Sequence, residues 1–162
     1  MNPIAESFEE LFARENWTYQ KRDDRTYSFG FRGDNNRYDF WVFLNEKGNI
    51  ITMYAVIPMS APEPKRLVMG DFLHRANYDM MLGNFEIDMR DGEIRFKCSA
   101  DFDNAKPDPD MLNRMIDCCL SMADRYMPGI GSVLYADMEP AAAIQQCEGD
   151  RRAREERSTI VQ

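Results

Sequence analysis

The stretch Phe85-Glu86-Ile87-Asp88-Met89-Arg90-Asp91-Gly92-Glu93-Ile94-Arg95-Phe96-Lys97-Cys98 decides the fold. Apolar and charged residues alternate along both halves, which is the pattern of two half-buried strands. Asp91-Gly92 between them is the favoured two-residue hairpin loop, because both positions tolerate positive φ. That loop predicts a register in which Arg90 faces Glu93, Asp88 faces Arg95 and Glu86 faces Lys97, three pairs of opposite charge. On the other face Met89 meets Ile94, Ile87 meets Phe96 and Phe85 meets Cys98. Cross-strand pairs contribute roughly 0.2–1 kcal/mol each, and a slip of one residue would turn the apolar set to water.

Upstream, Ser60 and Glu63 have capping-box spacing and start a helix. Its apolar face is Met69, Phe72, Leu73, Ala76 and Met80, and it is expected to end near Leu82-Gly83. Before it lies a region of aromatic and β-branched residues cut by polar turns. Trp17 to Gln20 reads as a short strand and Lys21 to Arg25 as a turn. Thr26 to Phe31, Arg37 to Asn45 and Asn49 to Ile57 read as three further strands. Strands this closely spaced pair as antiparallel hairpins, since parallel strands need a long crossover. At the start of the chain, Pro3 suits a first helical position, and Ile4, Phe8, Leu11 and Phe12 share one helical face.

Downstream, Asp108 and Pro109 open a helix with the stripe Leu112, Met115, Ile116, Cys119, Met122, Ala123 and Tyr126. Pro128, Gly129 and Gly131 are expected to interrupt it. Ile130 to Tyr135 and Pro140 to Gln146 leave room for one or two short helices. The order α-β-β-β-β-α-β-β-α defines an α+β domain over residues 1–147: an antiparallel sheet of five to six strands with helices packed on it. Residues 148–162 form a charged tail, expected to fray or extend a helix.

The chain has 162 residues, 44% of them hydrophobic and 30% charged, and a formal net charge of -8. Its size is that of one domain able to fold without disulfide or metal. The acidic balance argues against nucleic acid or an anionic membrane surface as partner, since both select basic footprints. No apolar run of membrane-spanning length is present, and Met1-Asn2-Pro3-Ile4-Ala5-Glu6 does not read as a secretory leader. Cys98, Cys118, Cys119 and Cys147 lack C-x-x-C spacing, so a cytoplasmic protein with free thiols is the expectation.

The residues that suggest chemistry carry little of it. His74 is the only histidine, so any Ser/His/Asp or Cys/His mechanism would need it, and it falls on a solvated helix face. Asp101 to Asp110 looks like a calcium loop but has Lys106 at position 6 and Leu112 at position 12, where an EF-hand needs Gly and Glu. The cysteines suit core packing rather than a metal site. Arg32-Gly33-Asp34 reads as a turn, and Gly129-Ile130-Gly131 lacks the strand and third glycine of a dinucleotide site. No catalytic residue, cofactor or metal site is expected.

The surplus of apolar residues says more. The twelve methionines and the run of aromatics from Trp17 to Phe43 exceed an ordinary share. Strict alternation cannot place Tyr38, Phe40 and Val42 on the same face as Trp41 and Phe43, so one set must be covered by something else. Trp41, Phe43, Tyr38 and Phe40 are therefore the candidate partner-binding residues, with Trp41 the expected outward aromatic.

The chain from about Trp17 to about Ala143 resembles the YbjN-like family, whose domains are similar in fold to type III secretion chaperones. The resemblance lies in Asn77-Tyr78, in Gly83-Asn84-Phe85-Glu86-Ile87-Asp88 and in Asp91-Gly92-Glu93-Ile94-Arg95-Phe96. Ala123-Asp124-Arg125-Tyr126-Met127-Pro128 and Pro140-Ala141-Ala142-Ala143-Ile144 extend it. Glu139-Pro140-Ala141-Ala142 departs from the acid-rich turn common before the last helix. The resemblance implies a sheet flanked by helices and a regulatory or protein-binding role, and it transfers no site residues. Three functions follow in order: a non-enzymatic protein-binding module that forms a homodimer, a small-molecule sensor with an aromatic pocket, and an enzyme using His74 or the Asp101–Asp110 acids.

Overall fold

Asn2 starts the first helix by accepting, through its side-chain oxygen, the backbone N–H groups of Ile4 (2.9 Å) and Ala5 (3.2 Å), with Pro3 just inside. The computed structural model describes residues 2–103 and 105–149. α1 (Pro3–Arg14) leads into β1 (Gln20–Asp23), β2 (Thr26–Arg32), β3 (Arg37–Leu44) and β4 (Ile50–Ser60). A 3-10 turn (Glu63–Lys65) and α2 (Arg66–Asn77) carry the chain to β5 (Asn84–Ile87), β6 (Glu93–Asp101) and α3 (Pro109–Tyr135). A last helix, α4, covers 140–149. The expected tail lies largely outside the described residues.

One antiparallel sheet runs in the order β1-β2-β3-β4-β6-β5. The alternation read from the sequence sorts its faces. Tyr27, Phe29, Tyr38, Phe40, Val42, Ile51, Met53, Ala55, Ile94 and Phe96 point to the inner face and are buried. The helices meet them there. Phe8 of α1 packs on Tyr27 (ring centroids 4.6 Å apart), Phe12 on Phe29 (4.8 Å), and Tyr126 of α3 on Phe85 (5.4 Å). Edge-to-face and tilted pairs of this kind add to area burial.

Five expectations are corrected by this arrangement. The charged run Lys21 to Arg25 is not all turn, because Gln20–Asp23 pairs with β2 as an edge strand. Such strands carry charges that discourage further pairing. Ser60 belongs to β4 rather than capping a helix, and α2 ends at Asn77, five residues short of Leu82. The helix stops where Tyr78 turns to an extended backbone (φ -60, ψ 127), and the side chain of Asn77 ties the helix end to β5: it accepts from the Phe85 N–H (2.7 Å) and donates to the Phe85 carbonyl (3.0 Å).

The β5–β6 hairpin keeps its predicted faces but not its register. Phe85 pairs with Phe96, Glu86 with Arg95 and Ile87 with Ile94, a shift of two residues from the two-residue loop. An even shift leaves every side chain on its own face. The loop is longer because the Asp88 carboxylate accepts from the Arg90 N–H (2.8 Å), and the Gly92 N–H reaches back to the Asp88 carbonyl (2.7 Å). Gly92 has φ +81, and a Cβ there would lie 1.9 Å from the Ala61 carbonyl, to whose residue Gly92 is also hydrogen-bonded. Met89, drawn into this loop, is exposed.

α3 runs through Pro128, Gly129 and Gly131 without a break. The residues read as an interruption are instead a crossing point. A Cβ on Gly129 would come within 2.6 Å of Cys147 Sγ and 2.8 Å of the Phe72 ring, so the glycine lets α2 and α4 approach.

Candidate functional site

The same period of two that buries Tyr38 and Phe40 turns Arg37, Asp39, Trp41 and Phe43 of β3 outward. Both Tyr38 and Phe40 are 0% exposed, so neither presents a surface to a partner. Tyr38 is further tied down by its hydroxyl, which donates to Asp124 Oδ1 of α3 (2.8 Å). Burial first, and then that hydrogen bond, push the Tyr38 hydroxyl far above the usual tyrosine range.

Trp41 and Phe43 lie on the outer face, where no ring contact to a helix occurs among the described residues. They stack on one another (centroids 6.2 Å apart, 11° between planes). Phe43, 39% exposed, meets Tyr54 of β4 edge-on at 5.9 Å. Two guanidinium groups flank this row: Arg22 of β1 lies 5.4 Å from the Trp41 ring centre, and Arg95 of β6 lies 3.9 Å from that of Tyr54. Contacts of this geometry attract through the ring quadrupole.

Glu86 of β5 fixes the β6 end of the face, bonding Arg95 Nε (2.9 Å) and Lys97 Nζ (2.5 Å). Burial pulls the Glu86 carboxyl upward, but Lys97 and Arg95 outweigh it and hold it below the usual carboxylate value. At the other end, a groove of about 530 Å³ opens over β1–β3, lined among others by Arg22, Ser28, Gly30, Arg37, Asp39 and Trp41. Tyr54, Arg95 and Arg22 were legible only in part. Tyr54 follows from alternation along β4, whereas Arg22 sits in the run read as a turn.

A second uncovered apolar patch lies in the α2–β5 loop, where Tyr78, Met81 and Leu82 are 84%, 96% and 65% exposed. They border a groove of about 580 Å³ that also includes Met80, Met122 and Cys118.

The other candidates from the sequence do not assemble. His74 is exposed on α2, beside Asp71 and Ile144. Asp101 accepts from Asn49 and from the Asp103 N–H, while Asp108 caps α3, so these acids serve the loop. No cluster able to hold a metal occurs among the described residues. Cys98 meets Cys118 and Cys119 across the inner face. Its hydrogen bond with Cys118 lowers the Cys98 thiol, but that with Cys119 and burial push it up, to about 11. The hydrogen bond to Cys98, then burial, raise Cys118, and burial raises Cys147. All four cysteines are free, and thiols so raised are poor nucleophiles. No helix of the described residues is long and apolar enough to cross a membrane.

The model of the YbjN family, described as a putative bacterial sensory transduction regulator, matches residues 5–132. No curated protein matches the chain. Among solved structures, the HopA1–SchA chaperone–effector complex contains a similar chain, at 11% identity and a TM-score of 0.52, over 75% of this chain and 90% of that one. So does the complex of the Yersinia pestis type III secretion chaperone SycH with a stable fragment of YscM2 (7% identity, TM-score 0.52, 74% and 96% covered). The ExsC–ExsE complex provides a third (13% identity, TM-score 0.52, 78% and 95% covered). At these identities the likeness is one of fold: the chain has the α+β fold of type III secretion chaperones.

Proposed function

The chain belongs to the YbjN family, and from that premise we propose that it is a non-enzymatic protein-binding module, chaperone-like or regulatory, whose partner docks on the outer face of the sheet. One observation carries this reading: the row Trp41–Phe43–Tyr54, flanked by Arg22 and Arg95, lies on the sheet face that the helices leave bare. Aromatic and arginine side chains are the residues that most often concentrate binding energy at interfaces. The row is also pre-ordered, since Glu86 and the ring stacking hold its members in place, so little entropy is lost when a partner covers them.

Two of the structures with this fold are of chaperones in complex with other proteins, which supports a partner of the same class. A second copy of the chain is the competing occupant of the face. The four free cysteines suit a reducing compartment, and we place the protein in the cytoplasm.

The test compares proteins retained from lysate by the tagged wild type, by Trp41→Asp and by Tyr78→Asp, each first shown to keep the wild-type melting temperature. The reading expects Trp41→Asp to lose the retained partner and Tyr78→Asp to keep it. An unchanged retained set with Trp41→Asp sinks it. Light scattering across concentration separates the homodimer, whose mass would fall to that of one chain in Trp41→Asp.

A further inference from the structure

The chain is acidic, with a net charge of -8, yet the β1–β3 end of the outer face is not. Arg22, Arg32 and Arg37 share it with two acids of those three strands, Asp23 at the end of β1 and Asp39 of β3, so arginines outnumber acids there. Arg32 and Arg37 stand directly opposite each other across β2 and β3, a like-charge pairing that strands avoid. No ion pair of the described residues neutralises either of them.

Two of these guanidiniums converge on one groove. Arg22 reaches over β2 from β1 and donates Nε to Ser28 Oγ (3.0 Å), with Trp41 beneath it, and among the described residues neither of its Nη groups has a hydrogen-bond partner. Arg37 comes from β3 and lies across Gly30, where a Cβ would stand 2.9 Å from its Nη2. Glycine at this position gives the groove a floor low enough for a guanidinium to lie flat. Asp39, paired across the strands with Gly30, also lines the groove, and no hydrogen bond or ion pair joins it to either arginine among the described residues.

We infer that this groove is a carboxylate site, which takes an aspartate or glutamate side chain of a protein partner between Arg22 and Arg37. It rests on the docking reading above and gives that partner a chemistry: an acid placed beside an apolar residue that seats on Trp41. Guanidinium forks match carboxylates in plane and in spacing. Arg22 lies 5.4 Å from the Trp41 ring, and same-face side chains of an extended strand recur every ~6.6–6.8 Å. An acid two positions from an apolar residue therefore spans the two subsites. A polyanion is disfavoured, because the rest of the chain repels it and Asp39 adds a like charge within the groove.

The experiment is an NMR titration to millimolar peptide, following the Trp41 indole N–H and the Nε–H groups of Arg22 and Arg37. The probe is a ten-residue peptide with Leu-Ser-Asp-Ser-Leu-Ser-Asp at its centre, and its twin has Asn for Asp. The acidic peptide is expected to shift all three signals and to bind about tenfold more tightly than the twin. Arg22→Gln and Arg37→Gln, with melting temperatures unchanged, are expected to erase that preference. Equal binding of the two peptides, no binding of either, or a preference that survives both substitutions overturns the inference. Equal binding that is lost in Trp41→Asp would leave the docking face standing and remove only the carboxylate site. An acid preference kept in Trp41→Asp would do the reverse. Inorganic phosphate or ATP displacing the acidic peptide at lower concentration would reassign the groove to phosphate and overturn the peptide.

Discussion

The side-chain amide of Asn35 donates to the backbone carbonyl of Asp124, 3.0 Å away, and that carbonyl is the one Pro128 leaves without a partner. In an α-helix the N–H of residue i bonds the carbonyl of i−4, and proline has none. A donor from the β2–β3 loop therefore replaces the missing helical bond, and α3 passes its proline intact. The Asp124 carboxylate completes the junction, accepting from the N–H groups of Asp34 (3.0 Å) and Asn35 (2.9 Å) and from the Tyr38 hydroxyl.

Asp124→Asn should destabilise the protein by about 1–3 kcal/mol, the usual cost of weakening charge-assisted hydrogen bonds. Burial pulls the Asp124 carboxyl up, but the bonds from Asn35, Tyr38 and Asp34 outweigh it and leave the folded value below normal. A group depressed in the folded state stabilises above its unfolded value, near ~3.9, and loses that contribution as pH falls through the folded value. Urea unfolding at pH 7 and pH 3 checks this. The penalty should shrink at pH 3, and an equal penalty at both would refute the assignment.

Asn35→Ala should cost about 1 kcal/mol with Pro128 present and measurably less in Pro128→Ala, where the helix supplies its own donor. A double-mutant cycle by chemical denaturation reads the coupling directly. Zero coupling would mean that Asn35 acts only through its contacts with the carboxylate.

Two phenylalanines three positions apart in β3 should differ sharply. Phe40→Ala empties the core and should cost about 3–5 kcal/mol, whereas Phe43→Ala on the outer face should cost under ~1 kcal/mol. Thermal and urea unfolding of the pair give the comparison. Similar losses would show that the outer row is structural rather than available.

The alternation of β3 made it plain that two apolar sets compete for one face, but not which set wins. That is settled by Tyr38 reaching Asp124, 86 positions away in the chain. The β5–β6 faces were readable because parity is local, while the register depended on Asp88 and on Ala61, which lies outside the hairpin. Pro128 reads as a stop unless one knows where Asn35 sits. Arg22 was hidden because an edge strand and a turn both favour charged residues. What the sequence conceals here is in each case a partner supplied from a distant element.

Asn77→Ala should cost about 1–2 kcal/mol, since it removes two hydrogen bonds and leaves the backbone of Phe85 open at the sheet margin. Sedimentation across concentration should then show association beyond that of the wild type. A variant that is weakened but stays equally monodisperse would confine Asn77 to a stabilising role.

That grip has a directional consequence. With β5 stoppered by Asn77 and β1 paired only with β2, the backbone of the sheet is available on one flank. A visiting segment that lies down along β1 finds nowhere beyond β5 for the next copy to continue. Recruitment through main-chain bonding is thereby directed to the β1 flank, because on the opposite flank the side-chain amide of Asn77 already occupies the N–H and carbonyl of Phe85.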